Sequence, residues 1–239
     1  MNELHTTGTS GRQAQCTECL RIAATGRQRH AHGEVLARHR HAQAFAAVVL
    51  SGSYEEAGDS GLHRVQTGDV LLHYAHERHL DRMHCTGAEV LVLPLPDDWN
   101  GAPHARIHDA DAIVQLAEHD VPAAVTRLLD ETLPVTHPLG DWPEQLAAAM
   151  LADPNLSLAQ WARSHGLHPG SVSRGFQQVF AVSPKAFRLQ ARTHAALKLY
   201  RGTSLAASAI AQICGFADQA HLSRSVSALT GATASHLRR

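Results

Sequence analysis

The sequence contains no uninterrupted apolar run approaching the ~20 residues that a membrane-spanning helix needs. Its opening segment, MNELHTTGTSGRQAQ, is polar and lacks the apolar stretch that marks a secretory signal. Both absences predict a cytoplasmic protein with no membrane partner. Cysteine is scarce, at 4 of 239 residues, and in a reducing compartment these are expected to be free thiols, not a disulfide framework. Cys16-x2-Cys19 could be half of a zinc site or a redox pair. A structural zinc site needs four ligands, and His30 and His32 do not complete a familiar spacing, so an incidental thiol pair is the default.

Net charge is also nearly absent, at −1, but the balance hides an asymmetry. Residues 1–140 hold 11 Lys and Arg against 18 Asp and Glu, a balance of −7. Residues 141–239 hold 10 against 4, a balance of +6. An acidic front and a basic back predict that the back half meets a polyanion. Histidine is biased the other way, with 14 of 19 in residues 1–140, which calls for a local explanation.

Residues 31–95 read as strands and turns. VLARHRHAQAFAAVVLSG is apolar and β-branched and is expected to end at Ser51-Gly52. The polar hairpin-like YEEAGDSGLH follows, then HRVQTGDVLLHYA with a turn at Gly68-Asp69, then AEVLVLPLP. Strands at this spacing predict an all-β sandwich or barrel. Residues 109–133 read as helix, with Asp120 as a cap and Pro122 in the first turn. Val121, Val125, Leu128 and Leu129 share one face. PVTHPLGDWP reads as a linker, and short amphipathic helices follow from Trp142 onward.

The helical part contains a degenerate repeat. SVSRGFQQVFAVSPKAFR (171–188) aligns with HLSRSVSALTGATASHLR (221–238) at an offset of 50. Ser173-Arg174 meets Ser223-Arg224, and Phe176, Val179 and Phe187 meet Val226, Leu229 and Leu237. Ahead of each copy, Ala162-x3-Gly166-Leu167 corresponds to Ala211-x3-Gly215-Phe216. Each copy spells helix, glycine turn, helix, with Ser157 and Asp218 as caps and the turn glycines free to take positive φ. This is the arrangement that seats a helix in the DNA major groove.

On these residues the C-terminal part resembles the AraC/XylS family of transcription regulators. The resemblance covers residues 142–239 and rests on Ile210-Ala211-x3-Gly215-Phe216-x-Asp218-Gln219-x2-Leu222-Ser223-Arg224 and on Ser183-Pro184-x2-Phe187. It departs at Leu222, Val226, Ser227, Ala228, Ala234 and Leu237, where the family has aromatic, basic, proline or tyrosine residues, which implies a weaker or atypical second unit. The resemblance implies that residues 184–200 form a long helix joining the two units. It also places Gly170, Ser173 and Arg174 of the first unit, and Gln219, Ala220, Ser223 and Arg224 of the second, on the groove-facing side. Arg suits bidentate contact to guanine and Gln to adenine. The competing assignment for Arg174 and Arg224 is phosphate contact or surface ion pairing.

The front half resembles the cupins, small β-barrels that often hold a divalent metal through three histidines and a glutamate. Gly33-x5-His39-x-His41, with Gly52 beyond, matches part of the first cupin motif, and Gly68 followed by His79 matches part of the second. His39 and His41 are two apart on a strand and so point to one face, where His79 could join them. Neutral imidazoles with open positions suit Zn, Fe, Ni or Mn. Phe45 stands at the family's glutamate position, and Tyr74 and His76 at its proline and glycine, which makes His76 a candidate replacement ligand. The alternative is a metal-free pocket whose histidines surround an organic effector.

The expected architecture is α+β: an N-terminal segment (1–30), a cupin-like sensor barrel (31–96), a helical linker with dimer contacts (97–140) and a tandem helix-turn-helix domain (141–239). The implied function is a non-enzymatic, one-component transcription regulator. Its expected partners are double-stranded DNA, a small-molecule or metal effector and a second copy of the chain. The competing expectation is a cupin metalloenzyme, a dioxygenase or isomerase, with an appended helical domain.

Overall fold

The computed structural model describes residues 20–21, 25–99 and 101–233, so Cys16, Cys19, Ala234 and Leu237 lie outside the described residues. The first half is built of β1 (Leu20–Arg21), β2 (Gly26–His30), β3 (Val35–His41), β4 (Phe45–Gly58), β5 (Gly61–Gln66), β6 (Asp69–His73), β7 (Arg78–Pro94) and β8 (His104–Arg106). Helices α1 (Ala110–Ala117) and α2 (Val121–Glu131) and the short β9 (Leu133–Pro134) follow. The second half is helical: α3 (Trp142–Ala152), α4 (Leu158–Ser164), α5 (Pro169–Phe180), α6 (Pro184–Gly202), α7 (Ala207–Ile213) and α8 (Gln219–Thr230). No helix among the described residues is long and apolar enough to cross a membrane.

Strands β4 and β7 form the spine. They pair antiparallel from Phe45 opposite Pro94 to Gly58 opposite His79. Strands β6 and β2 extend one half of this ribbon, and β5 and β3 extend the other. The expected strand end at Ser51-Gly52 is instead a bend within β4. Gly52 has φ +78°, the register shifts on both sides of it, and a Cβ there would collide with the Gly87 carbonyl. Such bulges bend a strand sharply without ending it.

The hydrogen-bonded path β1-β3-β7-β4-β6-β8-β9 does not return on itself. The closed barrel expected over 31–96 is therefore an open sheet folded over a cavity. Its end strands, β1 and β9, have two residues each, too few to zip the edges together. Strands β8 and β9 also extend the sheet into the stretch expected to be purely helical.

The period of two along β4 divides the molecule into layers. Phe45, Ala47 and Val49 belong to the core beside the cavity. Ala46 and Val48 pack the other way, with Leu93, Ile113, Val125 and Leu128. Asp109 and Asp120 cap α1 and α2 by accepting from Ala112 N and Ala123 N, each at 2.9 Å, so the expected single helical stretch is two helices. Val125 and Leu128, on the face expected to carry dimer contacts, are buried in this intrachain core. That face is not available to a second copy.

The helical half has two cores joined by α6. Leu146, Met150, Trp161, Val172, Phe176, Phe180 and Phe187 form the first, together with Ala57 and Leu80 of the sheet. Tyr200, Ile210, Cys214, Phe216, Leu222, Val226 and Leu229 form the second. The first helical unit thus shares its core with the sheet.

Leu128 is fully buried. Leu128→Ala is expected to lose about 2–5 kcal/mol of stability through transfer and cavity terms, read from urea unfolding. A loss under 1 kcal/mol would mean that α2 is not part of the core.

Candidate nucleic-acid interface and buried histidine cluster

The repeat read from the sequence appears as two helix-turn-helix units whose turns are closed by the same backbone bond. Ser157 caps α4 by accepting from Gln160 N. At its end, Gly166 takes φ +65° and Leu167 N donates to Ala162 O at 2.9 Å. In the second unit, Gly215 takes φ +71° and Phe216 N donates to Ala211 O at 2.8 Å. This is how a helix closes on a left-handed residue while using its last carbonyls. His168 then caps α5 by accepting from Gly170 N, and Asp218 caps α8 by accepting from His221 N. The second turn is one residue longer, because Ala217 separates Phe216 from its cap. Helices α5 and α8 both have 12 residues and both end on a left-handed residue, Ala181 and Gly231.

Burial sorts the faces of these helices. Val172, Phe176 and Phe180 of α5 turn inward, as do Leu222, Val226 and Leu229 of α8. Ser173, Arg174, Gln219, Ala220 and Arg224 are exposed, and Gly170 and Ser223 are half-buried. The second unit keeps its core with smaller side chains than the phenylalanines of the first.

The opposite ends of α5 and α8 meet the sheet through three arginines. Arg82 of β7 donates to Gln178 O and Val179 O at 3.0 and 2.9 Å. Arg38 of β3 donates to Phe180 O at 3.1 Å, to Ala57 O at 3.2 Å, and to the Asp59 carboxylate. Arg40 of β3 donates to Leu229 O at the end of α8. Carbonyls in the last turn lack intrahelical donors, and a cation there also meets the negative end of the helix dipole. Asp59 is itself buried; desolvation would raise its pKa, but the hydrogen bond from His194 and the charge of Arg38 outweigh it, so the net shift is downward.

Strand β3 alternates these arginines with histidines. His39 and His41 face the cavity of about 480 Å³ under the folded sheet, and His79 and Phe45 also line it. His39 Nε2 lies 2.9 Å from His41 Nε2 and 3.0 Å from His79 Nε2. All three residues are buried. His39 Nδ1 lies 2.9 Å from Ala37 O and can only donate to it, which leaves the Nε2 lone pair of the neutral ring facing the other two imidazoles. Three converging nitrogens, one held in tautomer by a backbone carbonyl, fit a divalent cation.

His76 does not join them. It sits at φ +68° in the turn before β7, away from the cavity lining. Burial, followed by the charge of Arg40, pushes its pKa down to about 4. In its place the structure brings Glu56 and His73 to the cluster. Glu56 Oε2 lies 3.2 Å from His79 Nδ1 and 3.5 Å from His73 Nε2. Burial raises the Glu56 pKa and the charge of Glu77 adds to it; burial and the neighbouring His79 lower that of His73. The sequence reading missed Glu56 because the bend at Gly52 shifts which residues of β4 face the cavity: Phe45 and Ala47 before it, Tyr54 and Glu56 after it. His73 closes β6, and no motif in the sequence marks it as a partner of His79.

Residues 161–239, about a third of the chain, match the family described as a helix-turn-helix domain. The chain therefore carries a C-terminal helix-turn-helix domain beneath a sheet-rich N-terminal half. No curated protein matches the chain. Among solved structures it is similar to the C-terminal domain of AraT, a response regulator from Geobacillus stearothermophilus, at 21% identity over 43% of this chain and 88% of that one, with a TM-score of 0.40. It is similar to the DNA-binding domain of AdpA, a global transcriptional factor solved with a target DNA, at 17% identity over 41% and 91%, TM-score 0.39. It is also similar to ToxT from Vibrio cholerae O395, at 11% identity over 90% and 96%, TM-score 0.41.

Two predictions follow from the site. The Arg38 side chain is 10% exposed and its partner Asp59 only 2%. Arg38→Ala is therefore expected to lose about 3 kcal/mol, because it takes the guanidinium from a buried carboxylate and leaves it His194 and the Arg78 N–H. Arg82→Ala, at a side chain 32% exposed, is expected to lose about 1 kcal/mol. Urea unfolding measures both, and equal losses would contradict the buried network.

The second concerns His63, whose pKa is pushed down to about 3 by burial and then by His104 and His137. Between the unfolded value near 6.5 and about 3, the unfolded chain binds a proton that the folded chain refuses, so acid favours unfolding. His63→Gln should therefore shrink the fall in urea midpoint between pH 7 and pH 5; an unchanged fall contradicts this.

Proposed function

We propose that the chain is a sequence-specific, AraC-type DNA-binding transcription regulator whose N-terminal half senses a small ligand or a divalent metal ion. The observation that carries this reading is the pair of matched helix-turn-helix units joined by the single helix α6, each presenting a Ser-Arg pair whose arginine is exposed. Arg174 and Arg224 read base edges, with Gly170, Ser173, Gln219, Ala220 and Ser223 beside them. The +6 balance of residues 141–239 supplies the non-specific attraction to phosphates. Exposure of the helix N-terminal halves, with the C-terminal ends held by the sheet, supports binding with the sheet on the far side from DNA.

The sensing site is the cupin-like cavity, with His39, His41 and His79 as ligands of Zn, Fe, Ni or Mn. Strand β3 offers the route of coupling. A cation drawn to His39 and His41 acts one peptide link from Arg38 and Arg40, which hold the ends of α5 and α8. An effector works only by favouring one arrangement of these contacts over another. A second copy of the chain is the expected partner on DNA, through a surface other than the buried face of α2.

The competing reading, a cupin dioxygenase or isomerase, is favoured by one observation: three converging imidazoles in a cavity of about 480 Å³. A salt-dependent, sequence-selective DNA shift separates the two. Arg224→Ala is expected to weaken specific binding by about 1–3 kcal/mol and to relax one base position. Titration against an operator library checks this, and unchanged preferences at every position would refute a base contact.

A further inference from the structure

We propose that the cavity holds a second cation subsite on the far side of His79, formed by Glu56, His73 and the Nδ1 atom of His79. It takes a divalent transition-metal ion. The proposal rests on the reading that His39, His41 and the Nε2 atom of His79 hold the first.

The His79 ring stands between two groups. Its centroid lies 4.4 Å from that of His39 and 4.6 Å from that of His73. Its Nε2 faces the first group at 3.0 Å from His39 Nε2. Its Nδ1 faces the second, at 3.2 Å from both His73 Nδ1 and Glu56 Oε2. Glu56 Oε2 is in turn 3.5 Å from His73 Nε2. Each group offers three donor atoms within 4.8 Å of one another, and His79 is the member they share.

Two imidazole nitrogens and one carboxylate oxygen are the donor set of three-ligand zinc sites that keep an open position. The same set suits copper and nickel. Charge favours the same conclusion. Glu56, Glu77 and Asp81 are all buried, with Glu77 Oε2 3.7 Å from His73 Nδ1 and Asp81 directly across the ladder from Glu56. Gathering carboxylates in a low-dielectric interior is costly unless a proton or a cation neutralises them, and a divalent ion can take the place of the proton. When both subsites fill, the shared ring gives up its remaining N–H proton to solvent, as cation binding at protonated ligands requires.

The same contacts could instead form a hydrogen-bonded chain from Glu56 through His73 that only fixes the tautomer of His79. Counting tightly held ions distinguishes the two. Full-length protein made without a histidine tag would be stripped with chelator, loaded with Zn²⁺ and desalted, since surface histidines among the 19 hold zinc weakly. Wild type should keep two equivalents, and the Glu56→Gln/His73→Asn double variant one. One equivalent in wild type, or no loss in the double variant, overturns the proposal. His39→Ala tests the first site separately: no loss there would sink the first site while leaving the second to be judged on the double variant.

Loading with Cu²⁺ tests the shared ring. Coupling through His79 should give less electron-paramagnetic-resonance intensity than the bound copper, and full uncoupled intensity from two ions would refute it. Unaltered circular dichroism of the double variant serves as the folding control.

Discussion

The cationic grip of the sheet on the ends of two helices is the contact on which the rest of this structure depends. Arg38, Arg40 and Arg82 place guanidinium groups on carbonyls that α5 and α8 cannot satisfy themselves. Each such bond is charge-assisted, and together they set where the exposed N-terminal halves of both helices point. The apolar contacts of Ala57 and Leu80 with the first helical core reinforce the grip without directing it. Dispersion and burial can hold two surfaces together, but a fork of N–H donors on named carbonyls fixes register.

Strand β3 makes this grip more than a structural joint. In LARHRH, alternate residues serve opposite faces: arginines reach the helices and histidines reach the cavity. A strand cannot move one set without the other, because the side-chain period is two. The pairing of His39 with His79 and of Arg40 with Arg78 ties the same lever to β7, which contributes Arg82. The cavity and the helix ends are thus separated by one layer of backbone.

The helical half was largely legible in the sequence, and the sheet only in part. Local signals decide helix ends: Ser157, Asp120 and Asp218 cap where they were expected to, and Pro169–Phe180 is the helix that the repeat predicts. The repeat was visible because the turn glycines and buried positions recur at fixed offsets. The convergence of His39, His41 and His79 was visible for a related reason, since two residues apart on a strand means one face. What escaped depends on long-range geometry. The bulge at Gly52 changed the phase of β4 and so hid Glu56. The turn that carries His76 directs it away from the cavity. The apolar face of α2, which looked free for a partner, was matched by a sheet face that no local pattern announces. The arginine contacts span separations of 96 to 189 residues, beyond the reach of any periodicity argument.

The account stands or falls on two helices reading one duplex together. Hydroxyl-radical and methylation footprinting of the full chain on its selected operator tests this most directly. Two protected major-groove patches on one face of the DNA, about 34 Å apart, are the result the account predicts. A single patch, or protection spread evenly along the backbone with no major-groove contacts, would contradict it.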